Sequence, residues 1–141
     1  MQLAAAIGSR LRGHEVIELV SDLGGGKTAF VRGLAKGAGS LDRVSSPSFT
    51  LTNVYRAGAL TLHHFDFYRL PEPGILRQEL AEVIDDPANV VIIEWAAIVE
   101  DVLPPKRLTI SIKTTGETSR DYRLHCPEEL SYLLPADVTA K

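Results

Sequence analysis

The apolar positions change period along the chain, and each change marks an element. Leu3, Ile7 and Leu11 fall at four-residue steps, predicting an amphipathic helix over residues 2–12 that Gly13 ends. EVIELV, residues 15–20, is a short apolar run and predicts a buried strand. Beyond a glycine-rich stretch, Phe30, Val31, Leu34, Ala35 and Ala38 recur at helical spacing, with Gly39 closing the helix. The order is therefore strand, glycine loop, helix.

SLDRVSSPS, residues 40–48, predicts a loop. FTLTNVY (49–55) and LTLHHFDFY (60–68) are rich in β-branched and aromatic residues and predict a hairpin across an Arg-Ala-Gly turn. Two prolines in LPEPG break the pattern before a helix over 75–84, with Ile75, Glu79, Leu80 and Val83 toward one side. VVII, residues 90–93, is continuously apolar, as in a central strand buried on both faces, and Glu94 and Trp95 stand at its end. A helical piece ends at Pro104-Pro105. RLTISIK (107–113) and SRDYRLH (119–125) predict a second hairpin, and EELSYLL (128–134) a short terminal helix. No repeat, low-complexity tract or linker interrupts the chain. The expectation is an α/β fold in a single domain over residues 1–141, with a mostly parallel central sheet, flanking helices and antiparallel hairpins.

Composition narrows the setting. The 141 residues are 45% hydrophobic, enough for one core, and the formal net charge of -3 gives no reason to expect broad nucleic-acid binding. A single cysteine, Cys126, cannot form an internal disulfide, fits a reducing compartment and has no nucleophile pattern around it, so it is taken as structural. The first residues, MQLAAAIGSRLRGHE, hold no continuous apolar signal core, and no run reaches the roughly 18 apolar residues of a membrane span. A soluble cytoplasmic protein is expected.

The candidate chemistry begins at SDLGGGKTAF, residues 21–30. It approaches the phosphate-loop pattern G-x-x-x-x-G-K-[ST]: Gly26, Lys27 and Thr28 match, and Ser21 replaces the first glycine. A strand followed by this loop and a helix aims unpaired backbone N–H groups at one point, which makes an anion site. Gly24, Gly25 and Gly26 let the backbone approach phosphate oxygens closely. The expected nucleotide-contacting stretch is Asp22, Leu23, Gly24, Gly25, Gly26, Lys27, Thr28 and Ala29. Within it Lys27 reaches the terminal phosphates and the Thr28 hydroxyl ligates Mg²⁺. The plainer reading is a tight turn followed by an ordinary lysine. Flanking strand and helix favour the phosphate site. Ser21 carries a Cβ and so must avoid positive φ or be strained.

An acid at the end of a second buried strand completes such a site, and Glu94 supplies it, holding Mg²⁺ or orienting an attacking water. In HHFDFYR, residues 63–69, His64 and Asp66 share one strand face while His63, Phe65 and Phe67 share the other. Asp66 is a second carboxylate for metal or water. The two histidines point apart and are read as structural, and Arg69 is equally a phosphate-stabilising or a surface charge. The hydroxyls of SSPSFTL, residues 45–51, offer either a switch segment or a plain turn. Trp95 either packs near the nucleotide base, faces a partner or fills the core.

Taken in order, SDLGGGKTAFVRGL, SSPSFTL, HFDFYR and VVIIEW resemble the TsaE family (also called YjeE), from about Leu3 to Leu103. That resemblance implies small bacterial ATPases with a P-loop fold that serve threonylcarbamoyladenosine formation in tRNA. It implies ATP and Mg²⁺ as cofactors and the TsaB and TsaD proteins as partners, with tRNA met only through the complex and no membrane. It further implies that ATP turnover, slow alone, resets the TsaB–TsaD pair. By position, Lys27 and Thr28 match the family's loop lysine and threonine, Glu94 its strand-end acid, Asp66 the acid of its H-F-D-x-Y-R segment and Trp95 the adjacent tryptophan. Thr50 falls in its S-P-x-[FY]-T-L segment as a switch residue. The chain departs from it at Ser21, where the family has glycine, and at Gly25, where it has alanine.

Two other functions fit parts of the pattern. A small-molecule P-loop kinase would need an acceptor pocket and an arginine-rich lid, and the sequence shows no arginine cluster. A nucleotide-dependent binding module without significant hydrolysis would have no use for Asp66 and Glu94. A GTPase would need an N-K-x-D segment, which the sequence lacks.

Overall fold

The computed structural model describes residues 2–21, 26–42, 52–67, 74–116, 120–136 and 138. The expected contacts of Asp22, Leu23, Gly24 and Gly25, the Thr50 switch and Arg69 lie outside these residues. Six strands form one sheet in the order β2-β3-β4-β1-β5-β6. They are β1 (Val16–Val20), β2 (Thr52–Ala57), β3 (Leu60–Asp66), β4 (Asn89–Glu94), β5 (Leu108–Thr114) and β6 (Arg120–His125). The central strands β3, β4, β1 and β5 run parallel, and an antiparallel hairpin closes each edge.

Alternation along the strands divides the core in two. Ile17 and Leu19 of β1, Leu62 of β3, Val90 and Ile92 of β4 and Ile110 of β5 pack beneath α1 (Gln2–Gly8) and α2 (Lys27–Gly37). Phe65, Val91 and Ile93 face the other way, toward α3 (Gly74–Asp85) and a 3₁₀ segment at Ala96–Val102. With both faces covered, β4 reads in sequence as the unbroken apolar run VVII.

Several boundaries differ from the sequence expectation. Helix α1 stops at Gly8 rather than near residue 12. The Glu15 carboxylate accepts the Arg12 and Gly13 N–H groups at 2.8 Å each, taking donors that a longer helix would have used internally. The packing of α1 on α2 also requires glycine: a Cβ at Gly8 would lie 2.2 Å from the Leu34 carbonyl oxygen, and one at Gly37 2.1 Å from that of Ala5. Strand β2 runs on through Arg56 and Ala57, because Ala57 is buried, and the turn falls at Gly58 and Ala59 instead. On α3 the apolar side is Leu76, Leu80, Val83 and Ile84, with Glu79 exposed. The terminal segment Glu128–Leu133 is a 3₁₀ helix, not an α-helix.

Glu15 also fastens the C-terminal segment to the start of the sheet. It is buried, and the Tyr132 hydroxyl donates to its Oε2 at 2.5 Å, while the Arg12 guanidinium lies 3.9 Å over the Tyr132 ring. Burial, and then the bond to Glu15, raise the Tyr132 phenol above its ordinary value of 10.0. A group raised in the folded state stabilises fully below its unfolded value and loses that contribution as pH climbs toward the folded one. Urea unfolding should therefore show stability falling as pH rises past about 10, and Tyr132→Phe should shrink that fall while costing about 1–2 kcal/mol at neutral pH. An alkaline fall unchanged in the variant would contradict the Tyr132–Glu15 contact.

Candidate functional site

The site lies where three elements end at the same edge of the sheet: β1, β4 and the N-terminus of α2. Gly26 caps α2 in a left-handed conformation, φ 97°, with no side-chain cap and no acidic residue in the first turn. The helix start thus presents its partial positive charge uncompensated by its own sequence. Its first residue, Lys27, is buried, and its ammonium meets three groups from the neighbouring strand ends. Nζ donates to the Ser21 carbonyl at 3.3 Å, lies 3.6 Å from Glu94 Oε1 and sits 5.2 Å from the Trp95 ring centroid. Thr28 is half-buried and Ala29 exposed on the same first turn.

Glu94 closes β4 at 4% exposure. A carboxylate this deep is retained only with partners, and it has one on each oxygen: Lys27 on Oε1 and the His64 Nε2 on Oε2. His64 is itself fully buried and its Nδ1 has no partner among the described residues. Asp66 is the register neighbour of Glu94 on the adjacent parallel strand, so the two acids sit side by side on one face at roughly the 4.8 Å spacing of paired strands. Lys27, Glu94 and Asp66, predicted from sequence, are therefore brought together.

His64, read as structural from the sequence, is part of the site, while His63 lies on the opposite strand face as the alternation predicts. Alternation puts His64 on the face of Asp66, whose register neighbour on β4 is Glu94, and the shared face is as far as the sequence signal reaches. Ser21 is accommodated without strain: among the described non-glycine residues only His14 and Trp95 have positive φ. Trp95 carries the strain instead, at φ 59°, ψ 52°, directly after the buried acid. It is 41% exposed, so it neither fills the core nor hides. A cleft of 180 Å³ between Ser21, Lys27, Trp95 and Ala96 opens beside it. Cys126 stands apart from the site, and burial pushes its thiol up, which suits a structural role.

This geometry accompanies a family match. The model described as threonylcarbamoyl adenosine biosynthesis protein TsaE matches residues 1–133. The chain belongs to the TsaE family. It is 37% identical over 129 residues to the tRNA threonylcarbamoyladenosine biosynthesis protein TsaE of Bacillus subtilis, covering 83% of this chain and 78% of that one. It is 37% identical over 115 residues to the protein of the same name from Treponema pallidum, covering 82% and 84%. Among solved structures it is similar to the crystal structure of YdiB from Bacillus subtilis, with TM-score 0.73 and 32% identity over 94% of this chain and 82% of that one. The TsaE resemblance seen in the sequence motifs and the α/β fold are thus both established. No described helix is long and apolar enough to cross a membrane.

The two adjacent histidines give a direct check. His64→Ala leaves the Glu94 carboxylate buried with one partner and should cost about 2–4 kcal/mol in urea unfolding, while His63→Ala, on the opposite face and only half-buried, should cost less than about 1 kcal/mol. Equal losses would contradict the Glu94–His64 contact.

Proposed function

We propose that this chain binds and hydrolyses Mg²⁺-ATP as an accessory subunit of the tRNA threonylcarbamoyladenosine machinery, using ATP to reset a TsaB–TsaD complex. The observation that carries the reading is Lys27: an ammonium at the first position of α2, buried between the Ser21 carbonyl and the Glu94 carboxylate. A cation held at a helix N-terminus is unfavourable for the helix on its own and favourable when a phosphate chain joins them. Lys27 supplies the charge for the terminal phosphates. Glu94 accepts a hydrogen bond from the attacking water, and His64 keeps that carboxylate oriented from behind. Asp66 is placed to share the water or the metal.

The oxygen donors suit Mg²⁺. The Thr28 hydroxyl and the Glu94 and Asp66 carboxylates are hard ligands, and among the described residues no group of three or more His, Cys, Asp or Glu side chains is arranged to hold a metal ion by itself. That sparse set matches a cation that keeps several waters and takes phosphate oxygens. When bound, the metal would neutralise charge on the phosphate oxygens.

The names of the relatives supply the pathway, and the surface fits a partner. Trp95 and Val20, 41% and 45% exposed, place apolar area at the rim of the phosphate site. A partner seated there would cover the cleft and exclude water from the terminal phosphate, as expected of a site that turns over slowly alone.

Titrating Mg²⁺-ATP against Trp95 fluorescence should give saturable binding that falls about a hundredfold in Lys27→Ala. Glu94→Ala should still bind ATP and the TsaB–TsaD pair but fail to release it. Equal ATP affinity in wild type and Lys27→Ala, or normal cycling in Glu94→Ala, would overturn the reading.

A further inference from the structure

The cleft beside Trp95 is lined by an acid that the phosphate site does not use. Glu18 and Glu94 stand on adjacent parallel strands but face opposite ways. Glu94 turns toward α2, while Glu18 is the register neighbour of Ile93 and turns with it toward the 3₁₀ segment Ala96–Val102. There Glu18 lines the same cleft as Lys27 and Trp95. Its side chain is only 16% exposed, so water does little to screen its charge. Left unpaired, that carboxylate would draw the Lys27 ammonium toward itself and repel any anion entering the cleft.

Arg107, the residue before β5, holds it. Its Nε donates to Glu18 Oε1 at 2.9 Å, its Nη1 to the Pro104 carbonyl at 2.9 Å and its Nη2 to Glu100 Oε1 at 2.5 Å. The three acceptors surround the cleft. Glu18 comes from β1, Glu100 from the 3₁₀ segment whose Ala96 and Ala97 form a wall, and Pro104 from the turn after that segment. Glu100 is largely exposed and adds little energy of its own. Together with the Pro104 carbonyl it fixes the plane of the guanidinium, so that the fork stays turned to Glu18.

We infer that Arg107 is a positioning residue for anion binding: it cancels and holds back the Glu18 charge, so that the cleft between Trp95 and Lys27 stays receptive to a phosphate chain. Arg107 does not touch the nucleotide in this assignment and acts through Glu18 alone. The inference rests on the phosphate-site reading of Lys27 and deepens it, because the charge seen by an entering anion is set by a pair on the sheet face away from α2. Removing Arg107 should therefore do harm that removing Glu18 as well repairs.

The test uses charged quenchers of the single tryptophan, Trp95, in ligand-free protein at low salt, with thermal melts to confirm folding. In Arg107→Met the iodide quenching constant should fall about twofold and the caesium constant should rise by a similar factor. Arg107→Met with Glu18→Gln should return both to wild-type values, and Lys106→Met, which removes an exposed neighbouring charge, should move neither. If Arg107→Met does not fold, Glu18→Gln alone decides: the uncancelled guanidinium should raise iodide and lower caesium quenching. An unchanged iodide-to-caesium ratio, or a rise in both constants together as loosening alone would give, overturns the assignment. Calorimetry with Mg²⁺ and a non-hydrolysable ATP analogue should then show affinity about five- to twentyfold weaker in Arg107→Met and restored in the double variant. Affinity equal to wild type in Arg107→Met, or no recovery in the double variant, also overturns it. If wild type binds no nucleotide, the phosphate-site reading fails, while the quenching ratio still decides whether Arg107 cancels Glu18 in the cleft.

Discussion

The Glu94 carboxylate, buried at the end of the central strand, is the constraint to which the rest of this site is fitted. Moving such a charge out of water costs several kcal/mol, and the cost is offset only if both oxygens are engaged. Lys27 and His64 engage them, one from α2 and one from β3. Removing either partner leaves a charge that the interior cannot solvate, at a cost of about 2–4 kcal/mol. The three elements are therefore tied to one another by electrostatics as well as by apolar packing.

The arrangement has a direction. Every group in the constellation points to the carboxyl edge of the parallel strands, the edge where α/β sheets hold their ligands. Ser21 lends its carbonyl, Trp95 its ring face, and α2 its unpaired N–H groups. The left-handed backbone at Trp95 is the local cost of turning the chain sharply after Glu94, so that an exposed indole stands beside the lysine. Farther from the edge, the glycine crossing of α1 and α2 and the Glu15 clasp keep the helical layer seated on the sheet.

Much of this was legible in sequence because it is local. The run VVII ending in Glu94, the Gly26-Lys27-Thr28 step into a helix and the alternation through His64 and Asp66 all depend on neighbours in the chain. What escaped was nonlocal. His64 looked structural because no pattern of spacing connects it to a carboxylate 30 residues away. The early end of α1 followed from a carboxylate at Glu15 that outcompetes the helix for its N–H groups. In each case a side chain from a distant element decided the matter, and a one-dimensional pattern holds no record of it.

The measurement that bears most directly on this account is a crystal structure of the chain with Mg²⁺ and a non-hydrolysable ATP analogue. The account predicts that Lys27 Nζ leaves Glu94 for an oxygen of the terminal phosphates, while His64 Nε2 keeps its hold on the Glu94 carboxylate and the metal lies beside Thr28. A nucleotide bound away from the start of α2, or a Lys27 still paired with Glu94 in its presence, would contradict the claim that this buried constellation is a phosphate site.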